Sequence, residues 1–473
     1  MAKKSGKTHK IVIVGAGNIG LALSRLLIDE GHDVVLIEKD PKKAKMAFTQ
    51  LDCLVINDEG NRPEVLREAG VDDADFFISV TDSDELNMIS CGLVAEEFHV
   101  PVKIARVRNV YYSTSHILQR HSLGINFIVN PDVEAAEDIV RAVKYGAMSD
   151  IIVFERGSLQ MRKVIINPGS ELINRSIRDI RQGFTHEFLV VAIIRDDDYI
   201  IPSGNTQIQE NDNLYILTTQ QAFDRIFEMS GKFRKKIKRI VVVGGGSVGT
   251  LVVDNLLKNR IQMMGPFDRI ANLIKPEKPR ITIIDRDYDR CKYLSQRFSG
   301  VSITNADVSE EGVIDEELHP NYDLIITATG NQELNIVTSV YAKRLGIPRA
   351  IALVKKKSYC PVCEELGIDV AVSLNNAVIN AILKIVRGEN VIHVHSLSGD
   401  KLEVVEIEVK KDIGVSGQRI RDLDLPEHVL IILVSRGKRN IIPDGNFTIR
   451  EGDHVIILSD KEAIQKVEEI FVS

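Results

Sequence analysis

The sequence has little that would mark a secreted, membrane-spanning or nucleic-acid-binding protein. Five cysteines in 473 residues are too few for a disulfide framework in so long a chain. Cys360 and Cys363 form a Cys-Pro-Val-Cys pair, but neither a second pair nor histidines follow at zinc-binding spacing, so both read as ordinary reduced thiols with no metal. No apolar run approaches the roughly 20 residues needed to cross a bilayer; the longest are strand-like stretches such as 429–434. The basic start, residues 1–10, leads into a strand pattern and not into an apolar signal core with a cleavage site. A large charge excess is also missing. The net charge of -7 gives no overall attraction to nucleic acid or to an anionic membrane surface. These absences predict a cytoplasmic protein with no nucleic-acid partner.

What is present is material for several ordinary cores. Apolar residues make up 44% and charged residues 27% of the chain, and its length is that of two to four domains. The clearest organising feature is an internal repeat. Residues 200–217 (IIPSGNTQIQENDNLYIL) match residues 441–458 (IIPDGNFTIREGDHVIIL) at more than half their positions without a gap. The halves also begin alike, with a β-branched run leading into a glycine cluster at 11–20 and again at 240–249. A period of about 230 to 240 residues is far too long for a solenoid, so the chain reads as a duplicated two-domain protein.

In the first half, strand-like runs at 10–14, 33–37, 53–56, 76–80 and 103–107 alternate with helix-like stretches. That alternation predicts an α/β, doubly wound, mostly parallel sheet of Rossmann type. Asn130 and Pro131 then open an amphipathic helix over 133–145. Its counterpart is 375–386, with Ile139, Val140 and Arg141 matching Ile385, Val386 and Arg387. Beyond each helix the pattern changes to short strands and turns, at 151–154, 160–166, 188–195 and 213–217, interrupted by a helix near 173–179. This predicts a small α+β module, repeated at about 401–460. The expected layout is a Rossmann-like domain at 9–130, a linking helix at 131–147 and a small domain at 148–225. A second Rossmann-like domain follows at 237–372, then a linking helix at 373–390 and a second small domain at 391–473. A basic stretch, 232–239, reads as the linker between halves, and 258–280 as an insertion peculiar to the second.

Gly15, Ala16, Gly17, Asn18, Ile19 and Gly20 follow a predicted strand and open a predicted helix, the context in which glycines at this spacing bind a dinucleotide. Gly15 permits the tight turn, Gly17 lets backbone approach a pyrophosphate, and Gly20 allows close helix-to-strand packing. The helix start offers unpaired N–H groups and a favourable dipole to phosphates. Glu38 ends the second strand, eighteen positions after Gly20, where an acid meets the adenosine ribose. A carboxylate there repels a 2′-phosphate, which favours NAD(H) over the phosphorylated cofactor.

The second half offers Gly244, Gly246, Ser247, Val248 and Gly249, with Asp285 closing the next strand. Its insertion nearly doubles the interval between turn and acid. Strand three ends at Asp58 and at Asp307, and strand four at Thr81 and Thr329, each threonine opening a Thr-x-x-x-Glu-x-Asn pattern. Ligands of open α/β sheets bind at this carboxyl edge, so these four are candidate contacts, with helix capping as the alternative reading. Arg106, ending strand five, adds a cation for phosphate; the equivalent second-half residue is Leu353. His116 and His121 belong to no recognisable catalytic dyad. The small modules, moreover, look too small to cover a cofactor as a substrate domain does. A non-catalytic role is therefore expected.

This order of domains resembles the TrkA family, the peripheral regulatory subunits of bacterial Trk-type potassium uptake systems, over nearly the whole chain. The most specific marks are residues 14–20, 81–85 and 104–108 and the twin proline-glycine turns. The resemblance implies RCK N-terminal and C-terminal domains, each occurring twice. It implies binding of NAD(H), and in related proteins ATP or ADP, by the N-terminal domains. It further implies a homo-oligomeric cytosolic ring, a tetramer in the family pattern, pressing on an integral membrane potassium transporter from the inner face of the membrane. The sequence departs from the family at Asn57 and Ala306, where glycine is usual before the third-strand aspartate, and in the insertion and Leu353. These departures predict a weaker second site. The alternatives are a nicotinamide-dependent oxidoreductase and a regulator of another cation transporter.

Overall fold

The computed structural model describes residues 8–473 apart from 114–122, 145–150, 154–158, 185–186, 197, 231–236, 259–279, 311, 319–320, 388–393, 398–401, 410–413, 427, 438, 461–462, 464–465, 468–469 and 472–473. His116, His121, nearly all of the insertion and most of the basic linker lie outside the described residues. The chain folds into two compact units that group like with like: residues 6–148 with 236–386, and residues 149–235 with 387–473.

In the first of these units, six β-strands form the sheet of the first half: β1 (Lys10–Val14), β2 (Asp33–Ile37), β3 (Leu54–Ile56), β4 (Phe76–Ser79), β5 (Val102–Arg106) and β6 (Phe127–Val129). The order is 3-2-1-4-5-6 and every pair is parallel. In the second half, β12 (Arg239–Val243), β13 (Arg280–Asp285), β14 (Ser302–Asn305), β15 (Leu324–Thr327), β16 (Ala350–Val354) and β17 (Val370–Ser373) repeat it in the order 14-13-12-15-16-17. Central strands such as β1 (KIVIV) and β12 (RIVVV) are β-branched along their length because helices cover both faces of the sheet. The order reverses beside β1 and beside β12, which opens a crevice at the carboxyl ends of the strands. β6 adds a sixth strand to the five expected for the first half, and β17 is its counterpart in the second.

The linking helices exchange partners. Ala135, Ala136, Ile139, Val140 and Val143 of helix Pro131–Lys144 lie in one core with Ile240, Val242, Val248, Val252 and Leu256 of the second half. Reciprocally, Val378, Ile379, Ile382, Leu383 and Val386 of helix Leu374–Arg387 join Ile11, Ile13, Ile19, Leu23 and Leu27 of the first. The apolar stripe expected on each helix is thus covered by the other half of the same chain. Burial corrects the matching of the two helices: Ile139 corresponds to Ile382 and not to Ile385, one turn away. A shift of three residues keeps an apolar stripe nearly in phase, so similarity of residue type alone could not fix it.

Helix Pro131–Lys144 also carries acids at the edge of this contact. Burial, reinforced by the negative charges of Glu137 and Asp138, pushes the Glu134 carboxyl up to about 7, against the opposing pull of Arg141 and Lys384. A carboxyl raised in the folded state binds more protons there than in the unfolded chain. Its ionisation therefore costs stability progressively as pH climbs from the ordinary 4.5 towards 7. Glu134→Gln is expected to raise the melting temperature at pH 8 and to leave it nearly unchanged at pH 4. Equal effects at both values in thermal melts would contradict this.

In the other unit, β7 (Ile151–Val153), β8 (Leu159–Ile165), β9 (Phe188–Arg195), β10 (Asp198–Ile200) and β11 (Asn213–Thr219) form an antiparallel sheet of order 10-9-11-8-7. β18 (Val394–Leu397), β19 (Leu402–Glu408), β20 (Leu430–Arg436), β21 (Arg439–Ile441) and β22 (His454–Asp460) repeat it as 18-19-22-20-21. Met161, Val191, Ile194 and Tyr215 of one sheet share a core with Val404, Ile432, Leu433 and Ile456 of the other. The helix of the first module is Ile177–Gln182, a few residues later than the sequence pattern placed it, because Ser176 caps it by accepting from the Asp179 N–H.

The repeated Glu-x-Asp of the twin segments has a structural purpose. Fully buried Asp212 accepts from Arg195 Nε and Nη2 at 2.7 and 2.8 Å, and from the Gln209 N–H at 2.8 Å. Fully buried Asp453 accepts from Arg436 Nε and Nη2, both at 2.7 Å, and from the Arg450 N–H at 2.8 Å. Each carboxylate holds its guanidinium above the ordinary arginine range and ties the proline-glycine turn to the strand pair.

Candidate functional site

The first glycine cluster joins β1 to helix Asn18–Asp29, and its three glycines answer to different constraints. Gly15 has φ of 105°, a left-handed conformation in which a side chain is strained. At Gly20 an added Cβ would sit 1.8 Å from the Gly15 carbonyl oxygen, so helix and turn touch there. A Cβ at Gly17 would meet nothing within 4 Å. Packing requires the first two glycines and leaves the third facing open space. Gly17 is also the N-cap of its helix and contributes no side-chain hydrogen bond, whereas Asp40, capping the next helix, accepts from the N–H groups of Lys42 and Lys43. The first turn at Asn18, Ile19 and Gly20 therefore presents N–H groups without a side-chain acceptor from its cap, the arrangement that receives an anion.

Glu38 is buried against this turn. Its Oε2 accepts from the Ala16 N–H at 2.6 Å and its Oε1 from the Asp40 N–H at 2.9 Å. On the other side of the turn, a Cβ at Gly15 would lie 3.1 Å from Thr81. Arg106 Nη1 donates to the Thr81 carbonyl at 2.8 Å and pairs with Asp82 at 3.4 Å, while its Nε is buried without a hydrogen-bond partner. Glu38, Ala16, Gly15, Thr81 and Arg106 thus form one continuous rim along the carboxyl edge. Beside it opens a polar cavity of about 340 Å³ lined by Asp82, Ser83, Asp84, Glu85, Arg106 and Arg108. Asp58, two residues beyond β3, accepts from the Glu59 N–H at 2.7 Å and pairs with Arg62 at 3.2 Å.

The threonine pattern resolves into a clasp. The Asn87 Oδ1 accepts from the Thr81 N–H, the Thr81 hydroxyl and the Ser79 hydroxyl, at 2.9, 2.7 and 2.9 Å. Its Nδ2 donates to the Thr81 and Arg106 carbonyls at 3.0 and 2.8 Å. Buried Asn87 therefore stitches the end of β4 to that of β5, and the helix cap is Ser83, not Thr81. Asn335 repeats this with the Thr329 N–H and hydroxyl and with the Thr329 and Leu353 carbonyls, the cap being Asn331. Since Asn87 reaches Arg106 where Asn335 reaches Leu353, the clasp establishes those two positions as equivalent.

The second glycine cluster has nearly the same geometry. Gly244 has φ of 103°, a Cβ at Gly249 would lie 1.9 Å from the Gly244 oxygen, and one at Gly246, ahead of Ser247 and Val248, would meet nothing within 4 Å. Asp285 accepts from the Gly245 N–H at 2.6 Å and from the Asp287 N–H at 2.9 Å. The insertion lengthens the interval in sequence without moving the acid from the turn, because β12 and β13 pair in the register of β1 and β2. What differs is the surroundings. Apolar Leu353 replaces Arg106, and the Arg290 Nη1 reaches the Gly245 carbonyl at 3.4 Å. Asp307 accepts from the N–H and hydroxyl of Ser309 and pairs with Arg286 at 3.7 Å. These donors, Ser309 first, hold its carboxyl below the ordinary range.

The sequence reading missed Gly245, Asn87, Asn335 and Arg108 as site residues. The two asparagines had a signal, the repeated Thr-x-x-x-Glu-x-Asn pattern. Gly245 had one only by correspondence with Ala16. The Cys360 thiol is pushed up to about 11 and that of Cys363 is also raised, both chiefly by burial, which keeps them protonated and unreactive. No helix among the described residues is long and apolar enough to cross a membrane.

Comparison with known proteins places these features in one lineage. The TrkA-N domain model matches residues 11–131 and 268–374, and the TrkA-C domain model matches 161–231 and 404–472. The second TrkA-N match thus begins beyond the second glycine cluster. The chain is similar to the Trk system potassium uptake protein TrkA of Halomonas elongata, 29% identical over 468 residues and 98% of both chains. It is also 29% identical to TrkA homolog 1 of Methanosarcina mazei, over 98% of this chain and all of that one. Among solved structures it resembles the GsuK channel (TM-score 0.56, 17% identity, 99% of this chain and 80% of that one). The GsuK RCK domain gives a TM-score of 0.53 at 17% identity, over 99% of this chain and 96% of that one. That likeness is one of fold. With both domain models matched twice, in alternation, and relatives aligned from end to end, the chain belongs to the TrkA family of paired TrkA-N and TrkA-C domains.

Proposed function

We propose that the chain is a non-catalytic, nucleotide-responsive regulatory subunit of a Trk-type potassium uptake system. In this reading it binds NAD(H), or ATP or ADP, at the first glycine turn and acts on an integral membrane potassium transporter as a homo-oligomeric ring, a tetramer, at the inner face of the membrane. The observation that carries the nucleotide assignment is Gly17, a helix N-cap facing open space between two glycines that packing itself demands. A pyrophosphate meets the helix start there, the adenosine ribose meets Glu38, and Arg106 lies where further negative charge would be. Buried Glu38 disfavours a 2′-phosphate. The relatives are named as Trk system potassium uptake proteins, which supports the potassium-uptake reading, and one of the similar solved structures is the GsuK channel bound to NAD. A catalytic dyad is not part of this reading, and incubation with NADH is expected to show no turnover.

The second turn is proposed as the weaker site. The difference rests on Leu353 in place of Arg106, since the acids are held alike. Glu38→Ala is expected to reduce affinity more than Asp285→Ala does. Equal losses in calorimetric titration would show that the cation does not rank the sites. The wider proposal is tested by co-purification with the membrane transporter and measurement of potassium uptake with and without NADH. Failure to associate, or uptake indifferent to nucleotide, would contradict it.

A further inference from the structure

Arg108 lines the cavity beside the first turn, and its charge is already engaged. Its side chain is two-thirds exposed, yet its Nε lies 3.6 Å from Asp132 Oδ1, whose side chain is 4% exposed. That oxygen is buried with no hydrogen-bond partner, so the ion pair is what compensates it. Asp132 is the second residue of helix Pro131–Lys144, which leaves this domain to pack in the core of the second half. The segment is tightly stitched: Asn130 donates to the Arg108 carbonyl at 3.0 Å and accepts from the Asp132 and Val133 N–H groups. Asp84 accepts from the Arg108 and Asn109 N–H groups at 2.9 and 2.7 Å. The backbone is fixed, and the Arg108 side chain is the part free to choose between a buried carboxylate and the cavity.

The other acids lining the cavity already have donors. Asp82 is paired with Arg106, Asp84 is bound to backbone N–H groups, and Glu85 accepts from the Ser83 hydroxyl at 3.1 Å. A phosphate entering here meets two guanidinium groups, whose planar forks suit its oxygens. We propose that Arg108 and Asp132 form a relay, in which the phosphates of a nucleotide at the first site compete with Asp132 for Arg108 and so act on the linking helix. The proposal rests on the nucleotide reading of the first turn and adds the route by which binding there reaches the second half. In that half the equivalent positions are Lys355 and Asn375, joined by an Asn375 N–H to Lys355 carbonyl bond at 3.2 Å. With no carboxylate at 375, the relay belongs to the first half alone.

Coupling is reciprocal, which gives the test a sign. If nucleotide must draw Arg108 from Asp132, then Asp132→Asn removes the competitor. Calorimetric titration of the full chain with NADH, and in parallel with ADP, is expected to show tighter binding in Asp132→Asn by at least about fivefold. Hydrogen exchange at saturating nucleotide supplies the second readout. Amides 133–136 should exchange at least about threefold faster on binding in wild type and show no ligand-dependent change in Asp132→Asn or Arg108→Gln. A merely structural Asp132 would shift exchange equally with and without ligand. Unchanged or weaker affinity in Asp132→Asn overturns the relay, as does bound nucleotide that leaves the helix of the wild type unaffected. No binding of either nucleotide to wild type overturns the nucleotide reading itself, and the relay with it.

Discussion

Ile139→Asp is expected to separate the two Rossmann-like domains, with a loss of about 4 kcal/mol or more of stability. Ile139 is fully buried, and its neighbours in the core belong to the other half of the chain, among them Val242, Val252 and Leu256. An ionised carboxylate there would be buried among apolar side chains, so the helix leaves the core or the carboxyl takes up a proton at a cost of similar kind. The symmetric variant Ile382→Asp should behave alike, because Ile382 occupies the same place in the core of the first half. Denaturant unfolding measures the loss, and faster hydrogen exchange within helix Pro131–Lys144 should show it released. Variants as stable as wild type would mean that the exchanged helices do not hold the pairing. The repeat thus works as a pseudo-dimer within one chain.

Asp212→Ala is the second large effect. It leaves the Arg195 guanidinium partly buried without its carboxylate and frees the Gln209 N–H as well. Breaking such a pair by removing one partner costs about 3–5 kcal/mol, whereas replacing both partners by apolar residues of similar volume is close to neutral. Asp453→Ala should cost the second module the same, since Arg436 and the Arg450 N–H meet Asp453 at matching distances. Urea unfolding followed by far-ultraviolet dichroism checks both. A loss below about 1 kcal/mol would place these pairs with ordinary surface ion pairs.

Much of this arrangement was legible in the sequence because it rests on local rules. The glycine turn needs left-handed φ at Gly15 and close packing at Gly20, and those constraints are written into residue type. The duplicated small modules were visible for a similar reason, since the Arg195–Asp212 and Arg436–Asp453 pairs demand identical chemistry twice. What escaped depends on tertiary partners. β6 is made of strand-forming residues, Phe127, Ile128 and Val129, but three are fewer than the run that marks a strand by pattern alone; pairing with β5 makes it one. The partner of each linking helix was invisible for the same reason: a stripe shows that something covers it, not what.

The candidate site shows the same division. Glu38 and Asp285 both reach a glycine-turn N–H, although their sequence intervals differ greatly, because strand register and not loop length positions them. Interval was therefore a poor guide to the second site, and Leu353 a better one. The asparagine clasp was present in the sequence as a pattern, but its purpose needed the carbonyls of β5 and β16 in view. Arg108 was hidden more deeply, since its partner Asp132 lies across a sheet edge and acts only by being buried.

Calorimetric titration of NADH into the full chain, wild type beside Gly17→Val, is the most direct measurement. A valine at position 17 projects into space the fold leaves open, so the variant should melt like wild type while its side chain occupies the path of the pyrophosphate. Saturable binding by the wild type and a loss of at least about a hundredfold in the variant, some 2.7 kcal/mol, is the expected result. Equal affinity in the two proteins, or no binding by the wild type, would contradict the assignment of the first glycine turn as a nucleotide site.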